Sequence, residues 1–247
     1  MSLPLAEASE AQARIEALAE THGDLDTQAL LQVLIDREFP KKIALVSSFG
    51  AESAILLHMV AAIDQTVPVL FLDTGFLFNE THAYREKLTA DLGLTDVRVL
   101  TPEPSHEHDF DPDRALHASH PEVCCFLRKV APLRKALSGF DAWISGRKRY
   151  HGGSRTNLDE YERDGRHIKV NPLAGWDHGD IEAYRLAHDL ALHPLVAEGY
   201  ESIGCWPCTS RVDDGEDARA GRWRGRDKSE CGIHFVDGRP VRADQRP

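Results

Sequence analysis

The sequence predicts an α/β protein built on a doubly wound, mainly parallel sheet with helices on both faces, followed by a mobile C-terminal tail. Two observations carry this prediction. Between residues 43 and 145, short apolar runs of buried-strand type alternate with helical stretches, the pattern of parallel strands joined by right-handed crossovers. Three polar loops, at 47–53, 73–78 and 146–155, fall where the strands should end, and ligands of such sheets sit beyond the carboxyl ends of the strands.

Helical patterns over 8–20 and 27–37 precede the first strand, Ile43-Ala44-Leu45-Val46. An apolar helix follows at 54–63, then a strand at 67–72, a helix at 79–92 and a strand at 97–100. A helix over 123–137 and a strand over 142–145 continue the alternation. Beyond Gly153 the pattern loosens, with a strand expected at 168–172 and a helix at 177–188. From Thr209 the chain is rich in Gly, Arg, Asp and Glu, which suggests the tail. The expected division is N-terminal helices over 1–40, an α/β domain over 41–208 and the tail over 209–247.

The formal charge of −11 over 247 residues argues against broad binding to nucleic acid or anionic membrane. No stretch reaches the roughly 18 apolar residues of a membrane span, and the N-terminus has no secretory pattern. The expected location is the cytoplasm. An assembly of identical copies is left open.

The five cysteines fall as Cys124-Cys125, Cys205-Trp-Pro-Cys208 and a solitary Cys231. In a reducing compartment such clustering points to metal binding or catalysis rather than disulfides. Adjacent cysteines direct their side chains apart, which suits a tetrahedral zinc poorly; the separate iron corners of a cubane accept them more readily. The loop Ser47-Ser48-Phe49-Gly50-Ala51-Glu52-Ser53 offers hydroxyls, backbone N–H groups and a helix N-terminus to an anion. In this reading Gly50 permits the tight turn. The Gly-Lys-Ser/Thr ending of a Walker loop is absent.

This loop resembles the Ser-x-Gly-x-x-Ser loop of the adenine nucleotide α-hydrolase superfamily, with Phe49 where the ATP-using members have Gly and Glu52 where they have Asp. Leu72-Asp73-Thr74-Gly75-Phe76 through Glu80-Thr81 is similar to a stretch of sulfonucleotide reductases. Glu230-Cys231-Gly232-Ile233-His234 resembles the segment carrying that family's nucleophile.

The resemblance implies reduction of adenylyl sulfate to sulfite and AMP, with Cys231 attacking sulfur. It implies a [4Fe-4S] cluster held by Cys124, Cys125, Cys205 and Cys208, and thioredoxin or glutaredoxin as reductant in trans. Ser47, Ser48, Gly50, Ser53, Asp73, Lys129, Gly146, Arg155, Arg219, Arg222 and His234 are the expected substrate contacts. Lys129 matches a Cys-Cys-x-x-x-Lys pattern one helical turn beyond Cys125. Arg219 and Arg222 match an Arg-x-Gly-Arg-Trp segment. Arg224, Arg226 and Lys228 are read as surface, and the roles of Arg147, Lys148 and Arg149 are left open. The alternatives are an ATP-dependent tRNA thiolase or ATP pyrophosphatase with an iron–sulfur cluster, a reductase of 3′-phosphoadenylyl sulfate, and a non-catalytic nucleotide-binding module.

Overall fold

The computed structural model describes residues 5–226, 228, 230, 232–233, 235–236 and 239–240. The nucleophile candidate Cys231 and the contact candidate His234 lie outside the described residues.

Helix α1 (Leu5–His22) and helix α2 (Thr27–Val33) come first, α2 being capped by Asp26, whose side chain accepts from Ala29 N. Strand β1 (Ile43–Ser47) leads into α3 (Ser53–Ile63), β2 (Val69–Leu72), α4 (Asn79–Asp91) and β3 (Val97–Leu100). The short helices α5 (Pro104–Phe110), α6 (Leu116–Ser119) and α7 (Pro121–Cys125) then lead to α8 (Ala131–Leu137) and β4 (Ala142–Ser145). Strands β5 (Tyr161–Asp164) and β6 (His167–Val170), helix α9 (His178–Ala187) and a small ribbon of β7 (Phe235–Val236) and β8 (Arg239–Pro240) complete the chain. Among the described residues no helix is long and apolar enough to cross a membrane.

The main sheet has the order β3-β2-β1-β4-β6-β5. Five strands run parallel, and β5 alone is antiparallel, paired with β6 so that Tyr161 faces Val170 and Asp164 faces His167. The sequence reading did not anticipate β5, because Glu162, Arg163 and Asp164 hide its apolar face. Its turn is nonetheless signalled by Gly165, which has φ 63° and stands first in a two-residue connection.

The chain builds outward from β1 through β2 to β3, then returns to place β4 on the other side. The switch between β1 and β4 opens a crevice beyond their carboxyl ends, where open α/β sheets bind ligands. One core layer buries Leu57, Val60, Phe71 and Ile144 beneath α1–α4 and α9, and the other packs Leu133, Leu137 and Phe140 of the α8 side against Ala44, Leu70 and Trp143.

The stretch expected as one helix over 123–137 contains a wider, π-helical turn at Phe126–Val130. Pro132 explains it. Proline has no N–H to give Arg128 O and its ring would crowd that carbonyl; the helix widens just before it, and Ala131 N bonds to Phe126 O instead.

Candidate active site

The β1–α3 loop forms the floor of an open cleft with about 1270 Å³ of empty space, part of it open to solvent. Phe49, not Gly50, takes the left-handed turn, at φ 48°. That conformation is costly for a side-chain-bearing residue. The ring is fully buried, edge-on to Phe71 at 5.3 Å, and its burial offsets the strain. Phe49 N donates to Ser47 Oγ at 3.2 Å. The expectation for Gly50 is therefore corrected: its value is its missing Cβ, which would stand 3.2 Å from Ile203 O.

Glu52 anchors the opposite wall. Its carboxylate accepts from Lys148 Nζ at 2.7 Å and from the Tyr150 hydroxyl, with His151 Nε2 at 3.3 Å. Burial opposes its ionisation, but His151 and Lys148 hold the carboxyl far below the usual range. Arg147 is likewise engaged, with Glu162 Oε2 at 2.7 Å, and Lys169 reaches the same oxygen at 2.9 Å. Arg149 Nε donates to Leu158 O. The three basic residues whose roles the sequence left open thus hold the 146–155 loop in shape.

A second cavity adjoins the cleft and is lined by Cys124, Cys125, Cys205 and Cys208. Helix α7 presents the first two, and the turn Trp206–Cys208 with its N-cap Cys205 presents the others, tied to the β2–α4 loop by Trp206 N donating to Phe76 O at 2.8 Å. Thr74 Oγ1 lies 3.2 Å from Cys205 Sγ. Burial and the neighbouring Cys125 push the Cys124 thiol up to about 12. Burial and Cys205 also raise Cys208, against the pull of Arg226, Lys129 and Arg222. Among the described residues no three His, Cys, Asp or Glu side chains converge to hold a single metal ion; the four sulfurs border a shared space instead. Four thiols around one cavity, three of them buried and Cys208 half-buried, are a donor set that fits an iron–sulfur cluster.

Lys129, Arg222 and Trp223 line both cavities. Lys129 keeps this position although a π-helical turn separates it from Cys125. Trp223, at φ 51° and 3% exposed, is held by its backbone N–H donating to Cys208 O at 3.1 Å and carries the Arg222 guanidinium 4.4 Å from its ring. Of the remaining expected contacts, Ser47, Ser48, Gly50, Ser53, Gly146, Arg155 and Arg219 also border the cleft. Asp73 does not: its Oδ1 accepts from Gly75 N at 3.0 Å, making the turn after β2.

The expected mobile tail is, over its described part, packed against the site. Thr209 pairs with Arg222 as an isolated antiparallel bridge. Arg226 and Lys228, read from sequence as surface, are corrected by the structure. Arg226 donates to His117 O at 2.6 Å and comes 3.8 Å from Cys208 Sγ, and the Lys228 side chain is 3% exposed with Nζ 2.6 Å from Glu122. Arg224 does lie at the surface, paired with Glu216. Glu230 and Ile233 line the cleft.

Arg128 was missed by sequence reasoning. It is buried beside the cysteine cavity, over the Phe76 ring at 4.4 Å. Only its place next to Lys129 could have drawn attention to it.

The phosphoadenosine phosphosulfate reductase domain matches residues 42–211. The adenosine 5′-phosphosulfate reductase of Mesorhizobium japonicum is 48% identical, over 90% of this chain and 88% of its own length. The phosphoadenosine 5′-phosphosulfate reductase of Gloeobacter violaceus is 40% identical, over 90% and 94%. The crystal structure of phosphoadenylyl-sulfate reductase from Candida auris, a phosphate complex, superposes with a TM-score of 0.68 at 26% identity, covering 86% of this chain and all of that one.

Proposed function

The chain belongs to the phosphoadenosine phosphosulfate reductase domain family, and from that premise we propose that it is a thioredoxin-dependent adenylyl-sulfate reductase. The observation that carries the reading is the shared wall: Lys129, Arg222 and Trp223 border both the cleft and the four-cysteine cavity. A cluster held by those cysteines would lie beside a nucleotide bound in the cleft.

In this reaction the Cys231 thiolate attacks the sulfur of adenylyl sulfate. The S–O bond to AMP breaks, AMP leaves with the electron pair, and Cys231 carries an S-sulfonate. A thiolate of thioredoxin, or of glutaredoxin, then attacks the Cys231 sulfur. The S–S bond breaks, sulfite leaves with the pair, and the partner's second thiol resolves the mixed disulfide. Two electrons pass from the dithiol to sulfur.

The residues of this chain bind and orient. Ser47, Ser48 and Ser53 offer hydroxyl donors to the nucleotide phosphate, and the start of α3 adds its partial positive charge. Lys129 and Arg222 supply cationic donors to the phosphosulfate. Cys124, Cys125, Cys205 and Cys208 would hold a [4Fe-4S] cluster. Such a cluster supplies a covalent tie between α7 and the 205–208 turn and a fixed charge beside the cleft. The expected setting is the cytoplasm, in sulfate assimilation and cysteine biosynthesis.

The test is to incubate the purified chain with adenylyl sulfate and no reductant. One equivalent of AMP and a sulfonate on the Cys231 peptide are expected, and Cys231→Ser should give neither. Consumption of ATP without that adduct would instead mark an ATP-dependent thiolase. Faster sulfonation by 3′-phosphoadenylyl sulfate would reassign the substrate. The isolated protein should carry about four irons and four sulfides, largely lost in Cys208→Ser; stoichiometric zinc without sulfide would overturn the cluster.

A further inference from the structure

Three carboxylates border the cleft among the described residues, Glu52, Glu201 and Glu230, and Glu230 occupies arginines that an anion-binding site would not be expected to give up. Glu230 Oε1 lies 2.5 Å from Arg155 Nε and Glu230 Oε2 lies 3.0 Å from Arg155 Nη2, a two-pronged pairing. Arg219 Nη2 adds a contact at 3.4 Å to Oε2, and Ser154 Oγ one at 3.4 Å to Oε1. The Arg155 side chain is 10% exposed and that of Glu230 14%. The third arm of Arg155 faces His151 Nδ1 at 3.1 Å, so its fork is occupied by protein on every side the described residues show. Two positions earlier, Lys228 is drawn to Glu122 of α7, the helix that carries Cys124 and Cys125. A cation and an anion in the same short segment thus tie it to two different elements, α7 and the 146–155 loop.

We propose that Glu230 is a positioning residue, docking the segment that precedes Cys231 onto Arg155 and Arg219, and that Arg155 serves as its receptor rather than as a substrate contact. The inference rests on the reading of Cys231 as the attacking thiol. A carboxylate repels the phosphosulfate end of the nucleotide, and here it neutralises cationic groups that could attract it. Its presence is understandable if accurate placement of the chain at residue 231 matters more to the reaction than one further cation on the substrate. A nucleophile misplaced by about an ångström can cost on the order of a hundredfold in rate.

The experiment compares wild type, Glu230→Asp and Glu230→Gln in two ways. In single-turnover sulfonation by adenylyl sulfate, Glu230→Gln should slow the rate at saturation by at least about thirtyfold and leave half-saturation within about threefold, with Glu230→Asp between the two. In brief trypsin digestion of the native protein, cleavage after Arg226 and Lys228 should be at least about fivefold faster in Glu230→Gln, with the remainder of the chain resistant as in wild type. An unchanged saturating rate with unchanged protection overturns the proposal. So does a lower half-saturation with a faster rate, because Glu230 would then be a competitor that substrate displaces. If wild type itself forms no sulfonate, the reaction reading fails, and the digestion still decides whether Glu230 docks the segment.

Discussion

Arg128 Nη2 lies 2.7 Å from Asp111 Oδ2, with the two side chains 1% and 2% exposed. The same guanidinium donates from Nη1 to Thr74 O at 3.0 Å and to Glu107. One buried cation therefore joins the α5–α6 region, the helix carrying the cysteine pair and the loop behind β2. The cysteine cavity is shaped by this tie before any cluster is considered.

Removing Asp111 leaves the buried Arg128 with Glu107 as its remaining carboxylate, so the cost should be about 3 kcal/mol, the low end for breaking a buried pair. Asp111→Ala should lose that much in urea unfolding. The double variant Arg128→Met/Asp111→Leu should recover a large part, since replacing a buried pair with apolar groups is often nearly neutral. A loss under about 1 kcal/mol in the single variant, the size of a surface pair, would contradict the assignment.

Lys129 borders both cavities, and a charge-assisted hydrogen bond contributes about 1.5–3 kcal/mol. Lys129→Met should lower kcat/KM for adenylyl sulfate roughly 10- to 100-fold. Iron content should stay as in wild type. Loss of iron with activity would make the lysine a support of the cluster alone.

Gly221 has no room for a side chain: a Cβ there would sit 2.2 Å from Ser210 O. It is held by Ser210 N donating to Gly221 O at 2.8 Å, next to the Thr209–Arg222 bridge. Gly221→Ala should cost about 1–3 kcal/mol through forced overpacking. It should also raise KM for the nucleotide, because Arg222 would shift from the cleft wall. Thermal unfolding and steady-state kinetics test the two halves separately.

His193 is 1% exposed, with Nε2 3.0 Å from Thr81 Oγ1 and Nδ1 accepting from Leu195 N at 3.2 Å. Burial lowers its pKa from 6.5 to about 4. The unfolded chain then binds more protons between those values, so stability is fully present above about pH 6.5 and falls as pH drops toward 4. Subtracting the His193→Asn profile from wild type should isolate a loss of about 2–3 kcal/mol in that window. A flat difference would show that His193 titrates in the folded protein as it does in the unfolded chain.

Much of the fold was legible because apolar periodicity reports burial directly. The runs at Ile43 and Ala142, almost wholly buried, read as parallel strands. Strand β5 was not legible, since Glu162 and Asp164 look like loop residues until Arg147, Lys169 and Trp143 are seen to receive them. The same limit applies to Arg226 and Lys228. A run of balanced charges reads as a solvated surface, and only long-range partners reveal that some of it is buried.

The sequence by itself determined the order of the parallel strands and the main helices, the grouping of four cysteines apart from the fifth, and nine of the residues that border the cleft, because these follow from local pattern and residue chemistry. The tertiary structure decided what no spacing encodes. It placed the left-handed turn at Phe49 instead of Gly50, turned Asp73 toward its own backbone, and brought Cys124 and Cys125 to one cavity with Cys205 and Cys208. It also set Glu230 against Arg155. Each of these depends on which distant group supplies the partner, and that is fixed only when the sheet closes and the chain returns across the ends of its strands.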